Sequence, residues 1–121
     1  MAIDMAGKLS THVLDIALGR PAAGMRVQLF WVEPHKELLL RATVTNADGR
    51  TDGPMIDGER FSAGMYKLVF HVGDYFAEQQ NADAKKFLDI VPLIFVVDDA
   101  SSNYHVPLLV SPWAYSTYRG S

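Results

Sequence analysis

The sequence predicts an all-β sandwich with one short α-helix. Apolar and polar residues alternate with a period of two in several short runs, as expected for strands with one buried face. Clusters rich in Gly, Pro, Asn and Asp separate these runs, and about seven or eight strands at such spacing are typical of a sandwich. The 121 residues suit one domain, 1–121, in which residues 1–7 are expected to be a flexible N-terminal extension.

The clearest alternation in the first half of the chain lies in GMRVQLFWVE. Val27, Leu29 and Trp31 share one face of this predicted strand, and Arg26 and Gln28 share the other. We expect the apolar face to lie in the core. The run ELLLRATVT continues the pattern, and its end leads into NADGR, where the Asp-Gly pair favours a tight turn with positive φ.

Two further runs predict strands in the second half. GMYKLVFHV places Tyr66, Leu68 and Phe70 on one face, which we expect to be buried. IVPLIFVV is nearly all apolar, but Pro92 has no backbone N–H to donate and therefore favours an edge strand or a bulge. Between them, DYFAEQQNADAKKFL is rich in helix-forming residues and begins with Asp74, a possible N-cap. We expect a short helix there, crossing one edge of the sandwich.

Composition excludes several classes of function. The net charge is −3 and the basic residues are scattered, which argues against a nucleic-acid partner. The chain has no cysteine, so disulfides, a cysteine nucleophile and thiolate metal ligands are excluded. The N-terminus lacks a signal-peptide core, and no apolar run is long enough for a membrane span. We expect a soluble cytoplasmic protein, or a periplasmic one if a leader has been removed.

The chain contains four histidines, without the HxH or HExxH spacing of a metal site. His12 in LSTHVLD and His105 in NYHVPLLV each lie within an apolar strand. A buried histidine must be hydrogen-bonded, so each is either a satisfied core residue or part of a cleft. If both face one cleft, they form a general base and a general acid near neutral pH. The residues alone leave both interpretations open.

Arg50 follows the Asp48-Gly49 turn, where its guanidinium is either simply solvated or grips an anionic or carbonyl-rich ligand. No GxSxG motif is present, so no serine carries a local nucleophile signature. The last residues, YRGS, are unusual for a chain end, since ends are commonly frayed. This tail is either solvated or tied into a site.

Taken together, LSTHVLD, TNADGRTDGP and NYHVPLLVSPWAYSTYRGS resemble the transthyretin-like family, specifically its 5-hydroxyisourate hydrolases of purine catabolism. The resemblance runs from about Lys8 to the last residue. Its most specific part is the terminal YRGS, which the hormone-binding transthyretins lack.

The resemblance implies a transthyretin-like sandwich of two four-stranded sheets, with a short helix after the fifth strand. It implies a homotetramer, a dimer of dimers, with active sites in the channel between dimers. The implied reaction opens the six-membered ring of 5-hydroxyisourate by hydrolysis, giving 2-oxo-4-hydroxy-4-carboxy-5-ureidoimidazoline. It implies no metal and no organic cofactor.

The family's functional positions carry over where its motifs match. The implied catalytic residues are His12, Arg50, His105 and Ser121. The implied substrate-binding residues are His12, Arg50, Tyr118, Arg119 and Ser121. Many relatives read His-Tyr-His before Val-Pro, whereas this chain has Asn103 at the first position. Strand alternation would put Asn103 on the same face as His105, near the pocket.

These residue types suit hydrolysis of an amide. The hypothesis is that His12 and His105 deprotonate a water molecule and that one of them returns a proton to the leaving nitrogen. Arg50 would bind substrate oxygens and offset charge on the carbonyl oxygen, while Ser121 orients the water or the substrate. One alternative is a non-catalytic carrier of the transthyretin type that uses the same channel. Another is a purely structural Ig-like domain.

Overall fold

The computed structural model describes residues 7–120, which form two β-sheets packed face to face. One sheet has the strand order β2-β1-β8-β9, with β5 paired to β1, and the other has the order β4-β3-β6-β7. The strands are β1 (Lys8–Asp15), β2 (Arg20–Pro21), β3 (Arg26–Glu33), β4 (Lys36–Val44), β5 (Ile56–Asp57), β6 (Gly64–His71), β7 (Ile90–Val97), β8 (Tyr104–Val110) and β9 (Tyr115–Thr117). A short 3₁₀-helix spans Gly58–Arg60, and helix α1 spans Val72–Glu78.

The predicted all-β sandwich with one short α-helix is confirmed, and the second sheet has the expected four strands. The first sheet has five, because the two-residue strand β5 pairs with the start of β1. The other two-residue strand, β2, pairs with the end of β1. Sequence periodicity does not detect strands of this length, since two residues show no alternation.

The core lies between the sheets and follows the predicted alternation. Val27 and Leu29 of β3 are fully buried, as are Leu68 and Phe70 of β6. Trp31, expected in the core with them, is only partly buried at the end of β3. Its indole nitrogen needs a hydrogen-bond acceptor, and Nε1 donates to a carboxylate oxygen of Glu33 at 3.2 Å on the rim.

Strand β7 lies at the free edge of its sheet, as Pro92 predicted. Helix α1 follows β6, which is the fifth strand if β2 is left uncounted. The helix is shorter than expected, and Asp74 is not its N-cap. His71 occupies that position because the helix starts directly at the end of β6, leaving Asp74 in the first turn, where it pairs with Lys85 at 2.7 Å.

No helix within residues 7–120 has both the length and the apolar character needed to cross a membrane. The six N-terminal residues, which include most of the expected flexible extension, lie outside the described part of the chain, as does Ser121. The assignment of the whole chain to one domain stays a prediction.

Candidate active site

Two central strands bring the predicted histidines to one surface. Strands β1 and β8 run parallel, and their register places Ser10 opposite His105 and His12 opposite Pro107. The flanking residues point into the core, because Leu9, Thr11, Val13, Tyr104 and Val106 are all buried. Strand alternation therefore directs Ser10, His12 and His105 to the outward face of the sheet, where all three are half-buried.

The turn after β4 supplies the third predicted residue. The side-chain oxygen of Asn46 accepts the N–H groups of Asp48 at 2.9 Å and Arg50 at 3.2 Å. Gly49 has φ +75°, and a side chain there would collide with the carbonyl oxygen of Val13, so the position requires glycine. The turn lies against β1, and the main chain of Arg50 pairs with that of His12 in an isolated antiparallel β-bridge.

His12 is tied to this turn through its ring. Its Nε2 lies 2.9 Å from the main-chain carbonyl oxygen of Asp48. A carbonyl oxygen only accepts hydrogen bonds, so neutral His12 carries its proton on Nε2. The lone pair of the ring is then on Nδ1, which is the nitrogen able to take a proton.

His105 is held on two sides. Its Nδ1 lies 2.8 Å from the hydroxyl oxygen of Ser10. Its main-chain carbonyl accepts the N–H of Gly120 at 2.7 Å. A methyl group on Gly120 would lie 2.8 Å from Cδ2 of His105, so the end of the chain packs directly against the ring. The tail is therefore tied to His105 up to residue 120.

Burial and the positive charge of Arg50 both lower the pKa of His12 and of His105. Burial lowers the pKa of His12 below 6.5, and the positive charge of Arg50 lowers it further, against an opposing effect of the Asp48 carbonyl. Burial also lowers the pKa of His105, followed by the charges of Arg50 and His12. Near neutral pH both imidazoles thus hold a free lone pair, as a general base requires.

A cavity of about 290 Å³ lies between β1 and the residues after the turn. Its lining includes two cationic side chains, Lys8 and Arg50, together with the hydroxyl-bearing residues Ser10, Thr11 and Thr51. Cations and hydroxyl groups suit a small molecule rich in carbonyl or anionic oxygens. Within residues 7–120 no group of three or more His, Asp or Glu side chains is arranged to hold a metal ion.

The structure places Tyr118 and Arg119 elsewhere. The guanidinium of Arg119 lies 3.9 Å from the centre of the Tyr104 ring and donates to the carbonyl oxygen of Asn103 at 3.0 Å. Both tail residues line a second cavity, of about 450 Å³, between the edge strands β7 and β9. Within this one chain they do not meet the histidines, and their predicted contact with substrate stays a prediction.

Asn103 is exposed, and its side-chain oxygen accepts the N–H of Lys8 at 3.2 Å, fastening β1 to the start of β8. The described hydrogen bonds do not join the Asn103 side chain to His105, so its expected place near the pocket stays a prediction.

Sequence reasoning missed three residues that shape this surface: Ser10, Asn46 and Asp48. Ser10 shares a face with His12 by strand period, but its pairing with His105 depends on the parallel register. Asn46 precedes an Asp-Gly turn, a setting in which asparagine commonly accepts main-chain N–H groups. That signal was available in the sequence.

The chain is similar to a known family and to named relatives. Residues 9–120 match the model of a family described as "HIUase/Transthyretin family". The chain is 53% identical over 120 residues to a protein named 5-hydroxyisourate hydrolase 2 from Rhizobium meliloti (strain 1021), covering 96% of this chain and 98% of the relative.

Three solved structures are similar. A crystal structure of (S)-allantoin synthase superposes with a TM-score of 0.91 at 45% identity; the match covers 98% of this chain but only 45% of that one. The 5-hydroxyisourate hydrolase of Klebsiella pneumoniae gives a TM-score of 0.73 at 34% identity, covering 95% and 99% of the two chains. Sea bream transthyretin in complex with thyroxine gives 0.83 at 23% identity, covering 93% and 94%, and this likeness bears on the fold alone.

The family match spans nearly the whole chain, and it includes the two histidines and the arginine that the fold gathers on one surface. The chain belongs to the HIUase/Transthyretin family.

Proposed function

We propose that this protein is a 5-hydroxyisourate hydrolase of urate catabolism, which opens a ring amide to give 2-oxo-4-hydroxy-4-carboxy-5-ureidoimidazoline. One observation carries the proposal: His12, Arg50 and His105 come from three separate segments and meet on one outward surface beside a cavity. The names of the relatives support the same reaction.

The hydrogen bonds support the following roles in the proposed reaction. His12 has its proton on Nε2, held by Asp48, so Nδ1 accepts a proton from water. The resulting hydroxide adds to the amide carbonyl carbon, and the positive charge of Arg50 stabilises the growing charge on the carbonyl oxygen. Neutral His105 takes the remaining proton of the added hydroxyl at Nε2 and, as the imidazolium, gives it to the leaving nitrogen while the C–N bond breaks. His12 releases its proton to the carboxylate group that forms. One water is consumed, and the products are a carboxylic acid and an N–H group.

The end of the chain completes the proposed site. Gly120 contacts His105, and the proposal includes the next residue, Ser121, whose hydroxyl would orient the water or the substrate. Tyr118 and Arg119 belong to the proposal as part of the substrate-binding wall. No metal or organic cofactor is needed for the steps above, since the base, the acid and the positive charge are side chains.

The proposal includes a homotetramer, a dimer of dimers, with active sites between the dimers. The edge strand β7 supports it, since Ile94 and Val96 are each 60% exposed on a strand whose outer edge has no partner in the described chain. Light scattering on the purified protein should give a mass of four chains. A monomer with full activity would remove the inter-subunit site from the proposal.

The reaction is tested by generating 5-hydroxyisourate with urate oxidase and adding the protein once urate is consumed. We expect spectroscopic decay much faster than the spontaneous rate with the wild type, and decay at the spontaneous rate with His105→Ala. The exposed His35 provides a matched control, since His35→Ala removes the same side chain at a distance from the site. Decay no faster than in buffer, from a folded tetramer, would contradict the proposal.

That negative result would favour the alternative, a small-molecule carrier of the transthyretin type, and binding of apolar aromatic ligands would then be measured by calorimetry. A cytoplasmic location is also part of the proposal, and cell fractionation of the native host tests it against a periplasmic one.

A further inference from the structure

Ser10 has a defined relationship with His105. The two residues are direct partners in the parallel register of β1 and β8. Both are half-buried, and their side chains leave the sheet on the same face. The hydroxyl oxygen of Ser10 lies 2.8 Å from Nδ1 of His105, within the range of a good hydrogen bond.

This contact leaves Nε2 as the nitrogen of His105 that can exchange protons with substrate. The ring carbon next to Nε2, Cδ2, is the atom closest to Gly120, so this half of the ring faces the end of the chain. The proposed function places the substrate on that side. The Nδ1 half of the ring faces Ser10 on the neighbouring strand β1.

Proton transfer at Nε2 requires a proton on Nδ1. A neutral His105 acts as a base only if Nε2 is unprotonated, and the single ring proton is then on Nδ1. The acid form is the imidazolium, which carries protons on both nitrogens. In both working states Nδ1–H donates and the Ser10 oxygen accepts. The neutral tautomer with its proton on Nε2 can neither take a proton there nor give one without becoming an imidazolate.

We propose that Ser10 is a positioning residue for His105, accepting a hydrogen bond from Nδ1–H and so keeping Nε2 as the proton-transferring nitrogen. The role of that nitrogen rests on the proposed function. The two histidines then work through opposite ring nitrogens: the Asp48 carbonyl occupies Nε2 of His12, and the Ser10 hydroxyl occupies Nδ1 of His105. Each neutral ring has one nitrogen with a defined partner and one left for chemistry.

The test compares the wild type with Ser10→Ala and Ser10→Thr in the assembled protein. Threonine keeps the hydroxyl and suits a strand, so it should rescue the alanine variant. Two-bond ¹H–¹⁵N NMR spectra of the imidazoles distinguish protonation at Nδ1 from protonation at Nε2. We expect neutral His105 to be protonated on Nδ1 in the wild type and Ser10→Thr, and to shift to the Nε2–H tautomer in Ser10→Ala.

Kinetics supply the second readout. Loss of one positioning hydrogen bond should lower kcat of Ser10→Ala by about tenfold, with KM nearly unchanged and Ser10→Thr close to wild type. A purely structural role would lower the melting temperature and leave the His105 tautomer unchanged. The proposal is overturned if wild-type His105 is protonated on Nε2, or if Ser10→Ala keeps the wild-type tautomer. The NMR result does not depend on turnover, so it decides the role of Ser10 even if 5-hydroxyisourate is not the substrate.

Discussion

His12 and Asp48 are joined by a hydrogen bond from a ring nitrogen to a main-chain carbonyl oxygen, 2.9 Å long, across 36 residues of sequence. The carbonyl belongs to the tight turn that also carries Arg50. One turn therefore sets the tautomer of a histidine and brings a permanent positive charge next to it.

Replacing His12 with alanine should abolish most of the activity. Removal of a general base typically costs about 10²- to 10⁴-fold in rate, and we expect a loss of that size in kcat. The melting temperature should change little, because the side chain of His12 is half-buried and makes one described hydrogen bond. His35→Ala serves as the control, and its kcat should equal that of the wild type. A His12→Ala variant with near-normal kcat would remove His12 from the mechanism.

Replacing Arg50 with glutamine should raise the pKa of both His12 and His105. The positive charge of Arg50 opposes protonation of each ring, so removing it favours the imidazolium. Burial continues to lower the pKa of both rings in the variant, so each value should rise toward the ordinary 6.5. NMR titration of the histidines measures the change. Arg50→Lys keeps the charge and should leave both values near wild type; unchanged values in Arg50→Gln would mean that the guanidinium lies too far away.

The rate should depend on pH only on the acidic side of neutrality. Because the pKa of both His12 and His105 is lowered below 6.5, both rings are mostly neutral at neutral pH. We expect a nearly constant kcat/KM from neutral to mildly basic pH, and a fall as the pH drops below 6.5 and the rings become protonated. A maximum at basic pH, or a rate independent of acidification, would contradict base catalysis by these residues.

The same shifts make folding stability depend on pH. The unfolded chain binds protons more tightly at His12 and His105 than the folded chain does, since the folded-state pKa values lie below 6.5. Stability is therefore greatest above pH 6.5 and declines as pH falls from there through the folded-state values. Urea unfolding at a constant protein concentration should show the decline. The double variant His12→Gln/His105→Gln should show a smaller decline over that interval, and an equal one would assign the effect to other groups.

Replacing Gly120 with alanine should reduce activity without unfolding the protein. The added methyl group would lie 2.8 Å from Cδ2 of His105, so either the ring or the tail must move. Misplacement of a catalytic group by about 1 Å can cost about 10²-fold in rate, and we expect a loss of up to that size. Thermal melting is the control and should stay at the wild-type value. Equal losses of activity and melting temperature would show that the tail is chiefly structural.

Tyr75 of helix α1 contacts Asp15 at the end of β1, and Tyr75→Phe should destabilise the protein. The hydroxyl donates to one carboxylate oxygen of the fully buried Asp15 at 2.7 Å, and the other oxygen accepts the N–H groups of Ala17 and Leu18. Without the hydroxyl, a buried charged oxygen loses its partner, which costs about 1–3 kcal/mol. Urea unfolding at matched protein concentration measures the loss. Tyr115→Phe, at an exposed position, is the control and should have little effect.

Several features were predictable because they depend on neighbours in sequence. The period of two placed Val27, Leu29 and Phe70 in the core, and the missing N–H of Pro92 placed β7 at an edge. The Asp-Gly pair predicted the turn before Arg50. These features depend on strand geometry, proline chemistry and positive φ, which act over a few residues.

Other features depended on contacts between distant parts of the chain. Helix α1 starts at the end of β6 instead of at Asp74, because packing of Val72 and Tyr75 outweighs the preference of aspartate for an N-cap. The two-residue strand β5 forms only because β1 offers it a partner.

By itself, the sequence determined the fold class, the family resemblance and the residue types that the site needs. Only the tertiary structure decided which atoms meet: Ser10 with Nδ1 of His105, Asp48 with Nε2 of His12, and Arg119 with the ring of Tyr104. Strand period states which face a side chain takes but not which strand lies beside it. The parallel register of β1 and β8, which joins residues 95 positions apart, supplies that information.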